Sequence, residues 1–122
     1  MKVVDIAHEF KKLKTAMDVF NIKDFKNGWF IGNFQPSIFK NPFFEVAHHQ
    51  HKAGYCGPLH THKIAQEVTY ILKGKLVASG KLLTDGDMFV YHPNEVANVM
   101  FVEDTELIVI KWPSIPSDKY NA

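Results

Sequence analysis

The sequence contains no arginine, and all 14 of its basic residues are lysine. It therefore lacks the planar guanidinium group, which grips a carboxylate or phosphate through two parallel hydrogen bonds. The formal net charge is only +1. Without a sign imbalance, neither a nucleic-acid groove nor an anionic membrane surface is indicated. The charge pattern favours a small molecule or another protein as partner.

Cysteine is almost absent, because Cys56 is the only one. A lone cysteine excludes an intrachain disulfide and suits a reducing compartment. No apolar run reaches the roughly 18 residues of a membrane span, and the start of the chain lacks the features of a signal peptide. We therefore expect a soluble, cytoplasmic protein, with residues 1–122 forming one domain.

Beyond residue 28 the apolar and aromatic residues fall into short runs, separated by Gly, Pro, Asn and Asp. Many short strands with turns every 8 to 12 residues or so predict an antiparallel sandwich or barrel, not alternating βαβ units. The predicted class is therefore all-β. The predicted strands are 29–34, 43–51, 66–74, 75–83, 87–92, 95–104 and 105–113.

The two ends of the chain differ from this predicted barrel core, which spans about residues 29–112. The N-terminal segment, residues 1–28, is expected to be helical or extended. It contains an apolar stripe at helical spacing that predicts a short amphipathic helix, covering the core or forming a dimer contact. The stripe consists of Ile6, Phe10, Leu13 and Met17, with Asp5 as a possible cap. The C-terminal arm, residues 113–122, contains two prolines and is expected at the surface.

Two histidines one residue apart precede a glutamate in "GPLHTHKIAQE", residues 57–67. Because side chains alternate along a strand, His60 and His62 should share one face, and a turn can return Glu67 to it. Two neutral imidazoles and one carboxylate suit Fe, Mn, Zn or Ni as the divalent ion, with positions left for water or substrate. Taken alone, the spacing is weak evidence for a metal site, because histidines on a strand are often only half-exposed polar residues.

The spacing continues on both sides of these three residues. Five residues separate Gly54 from His60, and six separate Glu67 from Gly74. The whole set reproduces G-x5-H-x-H-x3,4-E-x6-G, and in this the chain resembles the cupin superfamily. The resemblance implies a small single-domain protein with a jelly-roll β-barrel, the three side chains pointing inward at its mouth, and a tendency to form homodimers.

A second cupin signature, G-x5-P-x-G-x2-H-x3-N, is recognisable but degraded in "DGDMFVYHPNEVANVMF". Gly86 and Pro93 match with one extra residue between them, and Glu95 replaces the second glycine. The resemblance implies that Asn98 occupies the place of the fourth ligand, usually histidine. A carboxamide oxygen binds first-row metals more weakly than imidazole does. Asn98 is thus expected to be a weak ligand or a neighbour of the ligands.

Fold does not fix function in this superfamily. The favoured hypothesis is a 2-His-1-Glu metal site that binds or converts a small polar molecule, sugar-like or keto-acid-like, and whether it is an enzyme stays open. The alternatives are a non-enzymatic ligand-binding or sensor barrel, a degenerate site, and a metal-free isomerase or epimerase with His60 as catalytic base. The lack of arginine counts against the last, because arginine usually holds nucleotide-sugar diphosphates.

The remaining histidines and the cysteine are predicted to be structural. His48, His49 and His51 share one strand, and His92 precedes a proline in a turn. His49 or His92 would replace the missing fourth ligand only if the barrel turned it inward. Cys56 is expected to be a small buried or half-buried residue.

Overall fold

The computed structural model describes residues 16–122, so the predicted stripe of Ile6, Phe10 and Leu13, and the dimer contact assigned to it, lie outside the described residues. Two 3-10 turns, Ile22–Asp24 and Lys26–Gly28, precede the first strand. The strands are β1 (Trp29–Ile31), β2 (Glu45–His51), β3 (His60–Thr61), β4 (Gln66–Lys73), β5 (Lys75–Ala78), β6 (Lys81–Thr84), β7 (Met88–Tyr91), β8 (Val96–Ala97), β9 (Val99–Phe101), β10 (Thr105–Trp112) and β11 (Tyr120–Asn121). The all-β prediction is confirmed. In this part of the chain no helix has the length and apolarity needed to cross a membrane.

The strands form three antiparallel sheets. The largest has the order β1-β2-β10-β4-β7, and two smaller ones have the orders β11-β3-β8 and β6-β5-β9. The large sheet and the β6-β5-β9 sheet contribute side chains to one shared core. The core residues are Ala47, Ile71, Leu76, Ala78, Phe101, Leu107 and Val109.

Period-two alternation explains which side chains reach this core. In β10, Thr105, Leu107 and Val109 are buried, whereas Ile110 between the inward positions is exposed. Continuing the same alternation by two residues places Lys111 on the inward face. β10 therefore begins in the core and places Lys111 at the end of the barrel where His60 and His62 lie.

Two predicted strands are interrupted. Residues 75–83 form a hairpin, not one strand, because Ser79 and Gly80 both have positive φ (47° and 82°) and make a tight turn between β5 and β6. Residues 95–104 are divided at Asn98, whose backbone carbonyl accepts a hydrogen bond from the Ser79 N–H at 2.9 Å. The sequence predicted these segments as strand but missed the breaks.

The C-terminal arm does not lie free on the surface. Ser114 and Asp118 are only 2% and 3% exposed, and β11 pairs with β3. The Ser114 hydroxyl accepts a hydrogen bond from the Asn33 N–H at 2.8 Å. Most of the arm is exposed, as expected, but it is anchored at Ser114 and Asp118 and completes the small sheet that contains His60.

The structure explains why the last residue of the first motif, Gly74, is glycine. Gly74 has φ +122°, and a Cβ there would lie 2.4 Å from Thr105 Oγ1 and 2.7 Å from the Asp104 carbonyl oxygen. Gly54 also has positive φ (+88°), but a Cβ there would meet open space. Of the two glycines in the first motif, only Gly74 therefore combines backbone strain with a steric clash.

We expect Gly74→Ala to lower the free energy of unfolding by about 3 kcal/mol, since it adds the clash to the strain of a positive φ. Gly54→Ala is the matched control and should cost only about 1 kcal/mol, because it introduces strain alone. Urea unfolding of both variants measures the difference. Equal losses would contradict the steric role of Gly74.

Candidate metal centre

His60, His62 and Glu67 come together at one end of the barrel. His60 lies in β3, His62 follows that strand directly, and Glu67 is the second residue of β4. Their ligand atoms all lie within 4.8 Å of one another, and the three side chains line a cavity of about 970 Å³. Ligand atoms about 2.1 Å from one ion lie about 3 to 4.2 Å apart. Small side-chain rotations are therefore enough for the three to share an ion.

Hydrogen bonds orient both imidazoles with Nε2 available as an acceptor. His60 Nδ1 lies 2.9 Å from the Pro58 carbonyl oxygen, which only accepts, so Nδ1 bears the hydrogen and Nε2 keeps its lone pair. His62 Nε2 lies 3.4 Å from Lys111 Nζ, which only donates, so this Nε2 is also an acceptor. A backbone carbonyl that fixes the tautomer of a histidine is typical of metal-binding imidazoles.

Burial keeps His62 neutral. Its side chain lies in the barrel wall, and desolvation, reinforced by the charge of Lys111, lowers its pKa to about 4. An imidazole must be neutral to bind a metal ion. His62 is therefore ready to bind an ion throughout the neutral and mildly acidic range, and the chemistry of the donor set fits a divalent transition metal.

Asp118 stabilises the turn that connects His62 to Glu67. Its carboxylate accepts hydrogen bonds from the backbone N–H groups of Lys63 (3.0 Å), Ile64 (3.1 Å) and Ala65 (2.9 Å). These bonds lower the pKa of Asp118 despite the opposing effect of burial. Because the turn joins His62 to Glu67, Asp118 fixes the spacing of two candidate ligands from the far end of the chain.

A row of charged side chains crosses the large sheet beside the three ligands. Lys111 lies opposite Glu45 on one neighbouring strand and Glu67 on the other, and all three line the cavity. Lys111 Nζ is 3.7 Å from Glu45 Oε2, and the two side chains are 11% and 10% exposed. Burial raises the pKa of Glu45, even though Lys111 and a hydrogen bond with Ser114 act in the opposite direction.

Asn98 does not join the three ligands. Ala97 and Val99 line the cavity, whereas Asn98 between them is exposed and does not. Its backbone N–H donates to the Tyr91 hydroxyl at 3.3 Å, and its carbonyl accepts from Ser79. The expectation of a weak Asn98 ligand is therefore corrected, because this side chain lies outside the cavity, at the break between β8 and β9.

The other histidines divide between the cavity and the surface. His49 and His51 line the cavity wall, with their rings 5.6 Å apart, away from the three-ligand cluster. His48 is also among the residues that line the cavity and pairs with Glu106 at 2.6 Å, and His92 is exposed beside Gln66. Neither His49 nor His92 is part of the cluster.

Cys56 was expected to be buried or half-buried, but it is exposed. It makes an isolated backbone bridge with Met100 at the edge of the β6-β5-β9 sheet. An edge position of this kind leaves the thiol outside the core, which corrects the expectation.

Three residues that shape the site were not predicted from the sequence: Glu45, Lys111 and Asp118. The alternation in "TELIVIKW" contained a signal for Lys111, since it continues the inward series of Leu107 and Val109. Glu45 carried a similar signal, two residues before buried Ala47. Asp118 carried none, because its partners lie 53 to 55 residues away.

Stability should fall as the pH is lowered from 7 to 5. Burial lowers the pKa of both His49 and His62 to about 4, whereas an unfolded imidazole titrates near 6.5, so in this interval the unfolded chain binds protons that the folded chain does not. Each imidazole should then cost about 2 kcal/mol between pH 7 and pH 5. Urea unfolding at both values measures the loss. His49→Gln should make it about 2 kcal/mol smaller, and an unchanged loss would contradict the assignment.

Comparisons with known proteins point to one fold. No protein-family model matches the sequence, and no curated protein matches it either. An uncharacterized conserved protein with a double-stranded β-helix domain, from Klebsiella pneumoniae, aligns with a TM-score of 0.65 at 15% identity, covering 90% of this chain and 98% of that one. KdgF from Halomonas sp. aligns with a TM-score of 0.59 at 21% identity, covering 62% and 74%.

An RmlC-like cupin protein from Desulfovibrio desulfuricans aligns with a TM-score of 0.54 at 24% identity, covering 64% of this chain and 79% of that one. Together these likenesses confirm the cupin fold that the first motif predicts, a double-stranded β-helix or jelly roll. At these identities they define the fold alone.

Proposed function

We propose that this protein is a metal-dependent cupin, which binds one divalent transition-metal ion through His60, His62 and Glu67 and binds or converts a small polar molecule beside it. The observation that supports it most is the convergence of the three ligand atoms, within 4.8 Å of one another, on the wall of a large cavity. Two imidazoles and one carboxylate leave coordination positions open for water or another ligand.

The residues around the ligands support the same proposal. Pro58 fixes the tautomer of His60, burial keeps His62 neutral, and Asp118 holds the turn between His62 and Glu67. An ion bound there would supply Lewis acidity. The chain itself supplies a cavity that binds and orients the ligand, and positions the charged Glu45 and Lys111 side chains beside it.

A metal titration tests this proposal. Purified protein, stripped with a chelator, is titrated with Mn²⁺, Ni²⁺ and Zn²⁺ in competition with a fluorescent chelator, and Fe²⁺ is added without oxygen. We expect one equivalent of bound ion per chain. Binding of less than about a tenth of an equivalent of every ion would contradict the proposal.

A metal-free base is the second candidate function. The hydrogen bond from His60 Nδ1 to Pro58 leaves Nε2 free to accept a proton from a substrate in the cavity. This candidate predicts that His60→Ala abolishes an activity which survives complete removal of metal. An activity that disappears on chelation and returns with added ion excludes it in favour of the metal centre.

A further inference from the structure

Lys111 is a buried cation beside the candidate metal ligands. Its ammonium group lies 3.4 Å from His62 Nε2, 3.7 Å from Glu45 Oε2 and 5.3 Å from the centroid of the Trp29 ring. The side chain lines the cavity and is 11% exposed. Among the cavity lysines in residues 16–122, only Lys111 has a recorded hydrogen bond to a candidate ligand.

The buried pair of Lys111 and Glu45 is poorly explained by stability. Removing two charges from water costs several kcal/mol per ion, and well-packed apolar side chains in place of such a pair are often as stable or more so. The neighbouring inward residue of the same strand, Val109, is an apolar residue of the core. A function in the cavity accounts for a lysine at this position better than folding does.

We propose that Lys111 makes the cavity a receptor for a small monoanionic carboxylic acid, whose carboxylate contacts the Lys111 ammonium beside the ion. This inference rests on the proposed function, and it names the class of molecule that the metal centre binds. The acid would need a second oxygen, such as a hydroxyl or carbonyl, to reach the ion as well.

The hydrogen-bond donors of Lys111 support this assignment. An ammonium group has three N–H donors. His62 accounts for one of them in the described residues, whereas the Glu45 carboxylate, at 3.7 Å, is an ion-pair partner beyond hydrogen-bond distance. Because the His62 nitrogen that contacts Lys111 is the acceptor an ion needs, ion binding there competes with the Lys111 contact. At least two donors would then be available to a carboxylate in the cavity.

The charges of the site favour a ligand with a single negative charge. Glu45 and Lys111 cancel each other, and Glu67 cancels one of the two charges of a divalent ion. One positive charge therefore remains among these four groups. Of the other charged side chains that line the cavity, Lys26 and Lys119 are exposed, and the Asp118 carboxylate is held by three backbone N–H groups. The walls beside the ion include the apolar side chains of Trp29 and Val109. A monoanion neutralises the remaining charge, whereas a neutral sugar leaves it unpaired and a dianion overcompensates.

The test compares lactate with lactamide, its neutral amide, by isothermal titration into Mn²⁺-loaded wild-type protein. Lactate should bind at least tenfold more tightly. The double variant Lys111→Met/Glu45→Gln removes the ammonium but leaves the net charge of the site unchanged. It should retain Mn²⁺ and bind lactate at least tenfold more weakly than wild type, with the affinity for lactamide unchanged.

The outcomes separate this inference from the proposed function. If wild-type protein binds Mn²⁺ but has equal affinities for lactate and lactamide, the proposed role of Lys111 is wrong, while the proposed metal centre is unaffected. Full lactate affinity in the double variant would lead to the same conclusion. Wild-type protein that binds no metal overturns the proposed function, and the inference with it. The wild-type comparison stands even if the double variant fails to fold.

Discussion

His60→Ala should reduce the affinity for divalent metal at least 100-fold while the protein stays folded. Removing even a partner that merely orients a metal ligand typically costs about 10- to 100-fold in affinity, so removing the ligand itself should cost more. The fold should survive, because His60 is only half-buried and, within residues 16–122, its one side-chain hydrogen bond is to the nearby Pro58 carbonyl. Metal titration gives the affinity, and urea unfolding gives the stability.

His92→Ala is the matched control for this variant. His92 is also a histidine near the same end of the barrel, but it is exposed, does not line the cavity and contacts Gln66. Its removal should leave metal affinity within about twofold of wild type, in keeping with an exposed side chain that touches no ligand. If both variants lost affinity equally, the ion would not be bound by the proposed set.

Asp118→Ala should lower both stability and metal affinity. The substitution leaves three backbone N–H groups, all in the segment between His62 and Glu67, without their carboxylate partner. Hydrogen bonds to a charged group contribute about 1.5 to 3 kcal/mol each, and water will satisfy part of the loss, so we expect about 3 kcal/mol less stability. A turn that moves freely should also bind metal about 10- to 100-fold more weakly.

Asp87→Ala separates the two effects of Asp118. Asp87 also caps a turn, accepting a hydrogen bond from the Thr84 N–H at 2.8 Å, but it does not line the cavity. Its loss should reduce stability by about 1 kcal/mol without changing metal affinity. If Asp118→Ala lost stability but kept wild-type metal affinity, Asp118 would have no part in positioning the ligands.

The sequence predicted the convergence of the three candidate metal ligands through short-range spacing. His60, His62 and Glu67 lie within eight residues of one another, so strand alternation and one turn are enough to predict their convergence. Gly74 extended the pattern for a physical reason, because its positive φ and the nearby Asp104 carbonyl leave no room for a side chain. Local geometry of this kind can be read directly from residue order.

Asn98 shows how a degraded motif misled the prediction. Its place in the second signature suggested a ligand, but the neighbouring Ala97 is buried and Val99 lines the cavity. Residue 98 itself lies outside the cavity, at the break between β8 and β9. The motif had already lost the glycine at position 95, so it was a weak guide to residue 98.

The rest of the site depends on contacts between distant parts of the chain. Lys111 lies opposite Glu45 and Glu67 only because β10 pairs with β2 on one side and β4 on the other. Asp118 reaches the turn after His62 only because β11 pairs with β3. From its composition, the segment 113–122 was expected to be a polar, proline-containing arm. That composition contains no signal that β11 pairs with β3.

Anomalous X-ray scattering from crystals grown with Mn²⁺ or Ni²⁺ tests the central claim most directly. We expect one strong peak per chain, within about 2.3 Å of His60 Nε2, His62 Nε2 and a Glu67 carboxylate oxygen. Lys111 should then no longer donate to His62. A peak at another site, or a crystal in which these three side chains stay apart with Lys111 still against His62, would contradict the account.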